Sequence, residues 1–429
     1  MRLPASPLTP IALALAVTVA GHLAVQVAAV GFPASEKYQA PDPVPSMASV
    51  GGDLQISLRA GQVLRAGAAS YDAIRLEAKS KDRWGRIYPY PPVVVWMLAP
   101  LSFLSDLNAL RVWGLLFLLL WPASLLLYLR WAHPTLEGKG AAAVGTLMIF
   151  ALSASALLEL ERGNFDWTVA ALSLVGLALL ARGRDLPAGA AIGLAVAMKV
   201  YPVVLLPVLL ATRRFKAAAS CVVAGLVVFL VTGPSDNLQW LRALTSERTG
   251  WLEVRAWNTT LANALGWAFP SINASLADRV GLGAWALLMA ALLAALVLAR
   301  RAGRFLEPAH AGALAFPLMF MVPATSWSYT LFTLLPALFV LAHLWREAPQ
   351  RRLACASAAL LLGLCQTPLA AIPLRASAPA LVPVFSLSLV GLSLLAAWVA
   401  WRAPALALPE PRPQIQPQSS VPEGPAHGT

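Results

Sequence analysis

Apolar runs follow one another almost from end to end of the chain: 11–31, 107–129, 141–158, 165–181, 187–198, 200–211, 215–233, 282–299, 309–322, 329–345, 353–371 and 380–401. A helix crosses the hydrocarbon core of a bilayer with roughly 20 apolar residues. The pattern therefore predicts an all-α, polytopic integral membrane protein of about 10–12 transmembrane helices. Run 91–104 is short and broken by prolines, and reads as an interfacial helix or a half-span. Run 11–31 is longer than the apolar core of a signal peptide and reads as an uncleaved first helix, with a signal peptide as the alternative.

The connections divide by charge. "RWAHPTLEGKG" (130–140), "RGRD" (182–185), "RRFK" (213–216), "RRAGR" (300–304), "WREAPQRR" (345–352) and Arg402 with the tail are the short basic ones, expected on the cytoplasmic side. All fit one topology if 187–211 is a pair of short helices turning near Lys199 and Tyr201, and if 91–129 crosses once in net terms. Both termini are then cytoplasmic. If 91–104 crosses fully, some basic loops move outside. The outer face receives the long first extracytoplasmic loop 32–92, the second long loop 234–281, and the short connections 159–166, 199–202, 322–329 and 372–380. Loops carry function while the bundle supplies the frame, so the site is expected on that face. The chain divides into a membrane body, 1–402, and a Pro- and Gln-rich tail, 403–429, expected to be disordered and cytoplasmic. The expected location is the cell inner (plasma) membrane.

Composition sharpens this picture. Of 429 residues 59% are hydrophobic and 12% charged, against about 25% charged in soluble domains. The net charge of +12 reports loops held on one side of a membrane rather than nucleic-acid binding. Cys221, Cys355 and Cys365 lie within apolar runs and read as small buried hydrophobes, with neither disulfide nor metal spacing. No phosphate-binding glycine loop, HExxH, GxSxG or dinucleotide fingerprint is present, so ATPase, metalloprotease, lipase and redox readings lack support.

The unusual polar residues gather in the outer connections. The first loop holds six acids, Glu36, Asp42, Asp53, Asp72, Glu77 and Asp82, any of which is a candidate general base. Asp53 follows two glycines and precedes an amphipathic stretch. That pattern suits an interfacial helix with Asp53 at its N-cap, the structural alternative to a catalytic role. Lys199, at the end of an apolar run, is either an anion partner in a wet cavity or a lysine snorkelling to the interface. Glu159, Glu161, Arg162, Asn164 and Asp166 crowd one short turn. They form a polar cap between helices or, with Asn164, a site for sugar hydroxyls. Trp257, Asn258 and Trp267, and Ser326, Trp327 and Tyr329, sit where an aromatic belt is the simpler explanation.

In order along the chain these pieces resemble glycosyltransferase family 87 of the GT-C superfamily. The matching stretches are "GGDLQISLRAGQVLRAGAASYD", "YPYPPVVVWMLAPLSFL", "ERGNFD" through "KVYPVVLLPVLLATRRFKAA", "WNTTLANAL" and "PATSWSYTLFTLLPAL", reaching from about residue 50 to about 345. The resemblance implies an inverting transfer of a sugar, mannose foremost, from a polyprenyl-phosphate donor to an extracytoplasmic lipid or glycan acceptor. No cofactor and no metal at the reacting centre are implied. Carried over by position, Asp53 is the base and Lys199 lies near the donor phosphate. Trp257/Asn258 and Ser326/Trp327 line the cavity, and Tyr90 of the "YPYPP" knot returns the first loop to the bilayer beside it. The family often shows a His soon after the S-W pair. This chain has Ser328, Tyr329 and Thr330 there, leaving Tyr329 as the hydrogen-bond donor in its place. Ser57 stands where the family pattern has an aromatic. The rival reading is a secondary transporter or lipid-linked-sugar flippase with Lys199 as counter-charge, and a third is a scaffold subunit that tolerates Asp53 substitution.

Overall fold

The computed structural model describes residues 6–31, 51–67, 70–81, 88–246, 260–269, 271–304, 306–321, 328–347, 351–367 and 383–401, and among these there is no strand. Trp257, Asn258, Trp327 and the tail 403–429 lie outside the described residues, as does the side chain of Tyr329.

The first helix, α1 (Thr9–Gly31), is followed by two polar helices, α2 (Gly52–Arg65) and α3 (Tyr71–Lys81), and by α4 (Pro92–Leu98) with a 3-10 turn over Ala99–Phe103. Then come α5 (Asp106–Ala132), α6 (Lys139–Leu152), α7 (Ala154–Arg162), α8 (Asp166–Ala181), α9 (Asp185–Met198), α10 (Leu205–Ala211), α11 (Phe215–Val231) and α12 (Pro234–Ser246). The second half holds α13 (Leu261–Ala268), α14 (Ala274–Arg301), α15 (Pro308–Leu314), α16 (Phe316–Met319), a 3-10 segment over Ser328–Leu334, α17 (Pro336–Glu347), α18 (Arg352–Cys365) and α19 (Pro383–Trp401).

Only α5 and α14, of 27 and 28 residues, are long and apolar enough to cross a membrane alone; the bent pairs α6–α7 (57°) and α11–α12 (105°) bring the number to four at most among the described residues. These spans and the shorter apolar helices fit the expected all-α membrane protein, and several helices coincide with apolar runs that are themselves short. Helix α8, with 16 residues, and α9, with 14, are about 24 and 21 Å long at 1.5 Å per residue. Run 91–104 is a seven-residue helix and a five-residue turn, consistent with the half-span reading. The turn expected near Lys199 and Tyr201 is present, between α9 and a short 3-10 stretch leading into α10.

The core runs along α5, where Phe117, Trp121 and Tyr128 are buried and Phe117 and Trp121 meet Phe332 edge to face. Helices α8, α9 and α11 pack in sequence. On α9 a Gly189-x-x-x-Gly193 pair faces α11 so closely that a Cβ would fall 2.1 Å from the Ala217 carbonyl oxygen at 189 and 2.3 Å from that of Cys221 at 193. Two small residues four apart are what lets membrane helices touch backbone to backbone. The three cysteines are free and buried.

A second, smaller core gathers the polar helices. Ile56, Val63, Tyr71, Ile74, Tyr88 and Val95 bury one another, with Trp240 of α12 packed against them. The Trp240 indole donates to the Pro89 carbonyl at 3.1 Å, Arg75 donates to that of Tyr88, and the Tyr71 hydroxyl donates to that of Tyr90. Helix α2 is therefore mostly buried between α3, α4 and the bundle rather than lying along the membrane surface. The Tyr-Pro knot is clamped by three side chains on two helices, α3 and α12, and Tyr90 meets Phe165 of the bundle.

Candidate active site

Two glycines in the left-handed conformation bring the first loop to the bundle. Gly51 (φ 76°) caps α2 and Gly163 (φ 66°) ends α7. The Gly51 N–H donates to the Glu161 carbonyl at 2.6 Å. A Cβ on Gly163 would lie 2.8 Å from Leu54 Cβ and 3.3 Å from Gly51 Cα. Asp53 thus sits in the first turn of α2, and the N-cap position, the structural alternative for it, is occupied by Gly51. Oδ2 of Asp53 accepts from Asn164 Nδ2 at 3.2 Å and lies 3.5 Å from Arg162 Nε. Asn164 cannot turn freely: its Oδ1 accepts from the Phe165 N–H at 2.7 Å, and its carbonyl takes the Trp113 indole N–H at 2.8 Å.

Gly163→Ala is expected to open this contact. The left-handed backbone alone costs at least ~1 kcal/mol with a Cβ present, and the clash with Leu54 pushes α2 away from Asn164. A thermal unfolding midpoint lowered in Gly163→Ala but not in Gly140→Ala, where a Cβ meets nothing within 4 Å, is the check.

One residue beyond Phe165 a second pair begins. Asp166 is fully buried and its two oxygens accept from Lys199 Nζ at 2.8 and 2.7 Å, while the Tyr201 hydroxyl donates to Oδ1 at 2.8 Å. The Lys199 ammonium lies 4.9 Å from the Phe165 ring centre and 5.5 Å from that of Tyr90, within cation–π range. Tyr90 and Phe165 themselves meet edge to face at 4.6 Å. Glu159, buried, accepts the Trp167 N–H at 3.0 Å and so holds the first turn of α8 that presents Asp166. Burial, with Tyr71 and Tyr90 alongside, pushes the Tyr88 hydroxyl well above its ordinary range, so it stays neutral.

Asp53, Asn164, Lys199 and Tyr90 are therefore brought together from four separated stretches. Tyr329 lies in the 3-10 segment held against α7 by the Phe332 N–H, which donates to Ser155 Oγ at 2.8 Å. Trp257, Asn258 and Trp327 lie outside the described residues. Asp166 and Arg162, noted in the sequence only as members of a crowded turn, prove to be direct partners of Lys199 and Asp53. Tyr201 was visible only as a turn residue. The arrangement sets one buried carboxylate, Asp53, beside a guanidinium that is 40% exposed, and a second, Asp166, beside an ammonium that is 21% exposed. In each pair the cation is the more open member and so the one an anion can reach, and Asn164–Asp166 joins the two pairs within one turn. Among the described residues no group of three or more His, Cys, Asp or Glu is placed to hold a metal ion.

The sequence model of glycosyltransferase family 87 matches residues 88–326, more than half of the chain. The chain belongs to glycosyltransferase family 87. Of the residues described above, the family match covers Tyr90, Asn164, Asp166, Lys199 and Tyr201, while Asp53 precedes it. This family 87 chain is similar to the polyprenol-phosphate-mannose-dependent alpha-(1-2)-phosphatidylinositol mannoside mannosyltransferase of Mycolicibacterium smegmatis, with 29% identity over 285 residues. The aligned part is 60% of this chain and 62% of that relative, so the match spans under two thirds of the relative's length. No solved structure matches the family 87 chain.

Proposed function

We propose that the chain is a membrane glycosyltransferase that moves a sugar, mannose foremost, from a polyprenyl-phosphate donor to a lipid or glycan acceptor, with inversion at the anomeric carbon. The observation that carries this reading is the junction at Asn164–Asp166, which ties Asp53 and Arg162 to Lys199 and Tyr201 within one short turn. Family membership and the mannosyltransferase relative support the class of reaction.

Asp53 takes the proton of an acceptor hydroxyl as that oxygen forms its bond to the anomeric carbon. The anomeric C–O bond to phosphate breaks with its electron pair, and polyprenyl phosphate departs as an anion. Lys199 and Arg162 stabilise the charge that develops on it. Because the leaving group is already a stable anion, no general acid is required. Tyr90 closes the donor side and orients Lys199 through its ring face. Tyr329 and the Trp257/Asn258 and Trp327 segments complete the substrate cavity in this reading. The active site faces the extracytoplasmic side of the inner membrane, and both termini are cytoplasmic, as the basic connections require.

The test is sugar transfer in vesicles carrying the full chain, supplied with radiolabelled polyprenyl-phosphate mannose and, in parallel, with polyprenyl-phosphate glucose and GDP-mannose. Transfer from a polyprenyl-phosphate sugar and none from GDP-mannose is expected. Uptake or flipping of the donor without transfer replaces the enzyme by a transporter, and transfer from GDP-mannose alone removes the lipid-linked donor.

A further inference from the structure

Three helices end in the same turn. At the ends of α8, α10 and α14 a left-handed residue donates its N–H three residues back, and the next residue donates five back. The pairs are Gly183/Arg184 onto Leu180/Leu179, Arg213/Arg214 onto Leu210/Leu209, and Gly303/Arg304 onto Arg300/Ala299. Glycine is the ordinary occupant of the left-handed position, because it has no Cβ to meet the neighbouring carbonyl. Two of the three turns have it. The third has Arg213 at φ 60°, the one non-glycine residue with positive φ among the described residues. The backbone disfavours arginine there, so the reason for Arg213 lies in its side chain.

That side chain joins a cluster. Arg300, at the end of α14, donates from Nη1 to the Thr212 carbonyl at 3.3 Å, which brings the α10 and α14 turns together. Arg213 and Arg214 are both near enough to repel Arg300. Arg300, Arg304 and Thr212 line a shallow surface hollow of about 10 Å³ together with Leu296 and Leu306. The neighbouring acids do not cancel this charge. Asp185 takes Arg214 at 3.3 Å. Burial pushes the Glu307 carboxyl up to about 7 against the pull of Arg214, so it is partly neutral at neutral pH. The tendency of short connections on one side of a membrane to be basic accounts for arginines in these loops. It does not account for the two arginine-bearing turns being held against each other by Arg300 and the Thr212 carbonyl, or for a left-handed arginine. Guanidinium groups on two adjoining turns at the end of a membrane helix match the phosphodiester of a lipid headgroup.

We propose that Arg213, Arg214, Arg300 and Arg304 form a binding site for the phosphate of an anionic phospholipid headgroup. It is distinct from the candidate active site. Helix α9 begins at Asp185, the partner of Arg214, and ends at Met198, next to Lys199, so its length of about 21 Å separates the two. A lipid held there ties the end of α10 to the end of α14, and through α9 and α10 it steadies the turn that carries Lys199 and Tyr201.

The experiment uses the purified full chain in nanodiscs of phosphatidylcholine, with and without phosphatidylglycerol, and counts retained phosphatidylglycerol by native mass spectrometry. Wild type is expected to retain it in preference to phosphatidylcholine, and each arginine removed lowers retention about fivefold, the effect of one basic residue at an anionic lipid surface. Arg213→Gly separates binding from folding. Its unfolding midpoint in phosphatidylcholine holds or rises, because the turn prefers glycine, while its retention falls. Arg300→Gln/Arg304→Gln tests the other side of the hollow. Equal retention by wild type and both variants overturns the proposal. A second arm adds inorganic phosphate to the phosphatidylcholine nanodiscs. Stabilisation of wild type by phosphate, with no preference for phosphatidylglycerol, also overturns it by making a soluble anion the ligand.

Discussion

Asn at position 53 is expected to abolish sugar transfer in vesicles, by 10²-fold or more on the ordinary contribution of a general base of about 10²–10⁴, with the protein still folded. An amide replaces the carboxylate at almost the same volume, and Asn164, whose orientation is fixed by the Phe165 N–H and the Trp113 indole, keeps its place. What is lost is the ability to accept a proton. The loss is predicted to fall on kcat with KM little changed, because the acceptor hydroxyl is engaged by the base chiefly as the bond forms. The control is Asp72→Asn in the same first loop. Asp72 is 57% exposed in its side chain and only 3.8 Å ion-paired to Arg75, and it leaves transfer intact. Arg162→Gln gives a second reading, since it removes the cation beside Asp53 without removing the base. Full transfer by Asp53→Asn at matched expression takes Asp53 out of the mechanism and leaves it as a tie between α2 and α7.

The sequence separated these acids poorly and the structure explains why. Six carboxylates in one long loop look alike in composition. Asp53 differs through its neighbours, and those neighbours lie more than a hundred residues away, at Arg162 and Asn164. The hint present in the chain was the pair of glycines before it, read as a helix start. The physical use of Gly51 is instead to let the backbone of α2 reach Glu161 and Gly163.

The pairing of Asp166 with Lys199 was closer to legible. Each opens or closes an apolar run, and a short "RGRD" connection joins the two runs. Helices of 16 and 14 residues folded back on one another must bring the first residue of one beside the last of the other. The helical class followed from hydropathy, and the turn at Lys199 from placing all the short basic connections on one side. The bend of 57° at Ser153, inside run 141–158, did not, because a run of apolar residues does not reveal where the axis bends.

Lys199→Met is expected to have two effects that a second substitution separates. Asp166 is fully buried, and removing its ammonium partner leaves an uncompensated carboxylate with only the Tyr201 hydroxyl, at a cost of about 3–5 kcal/mol. The unfolding midpoint should drop sharply. Transfer is lost with it. Asp166→Asn in the Lys199→Met background removes the stranded charge, and an amide can still accept from Tyr201. Stability should therefore return toward wild type in the double variant, as for a buried ion pair whose two halves are removed together. If Lys199 only neutralises Asp166, transfer returns as well. If Lys199 also stabilises the departing phosphate, the double variant is stable and inactive, with kcat down by 10²-fold or more, the usual scale for losing one electrostatic contact to a developing anion. The second outcome is the expected one. The Lys199 side chain keeps 21% of its surface open while Asp166 has none, so the ammonium is the member of the pair that a donor phosphate can reach.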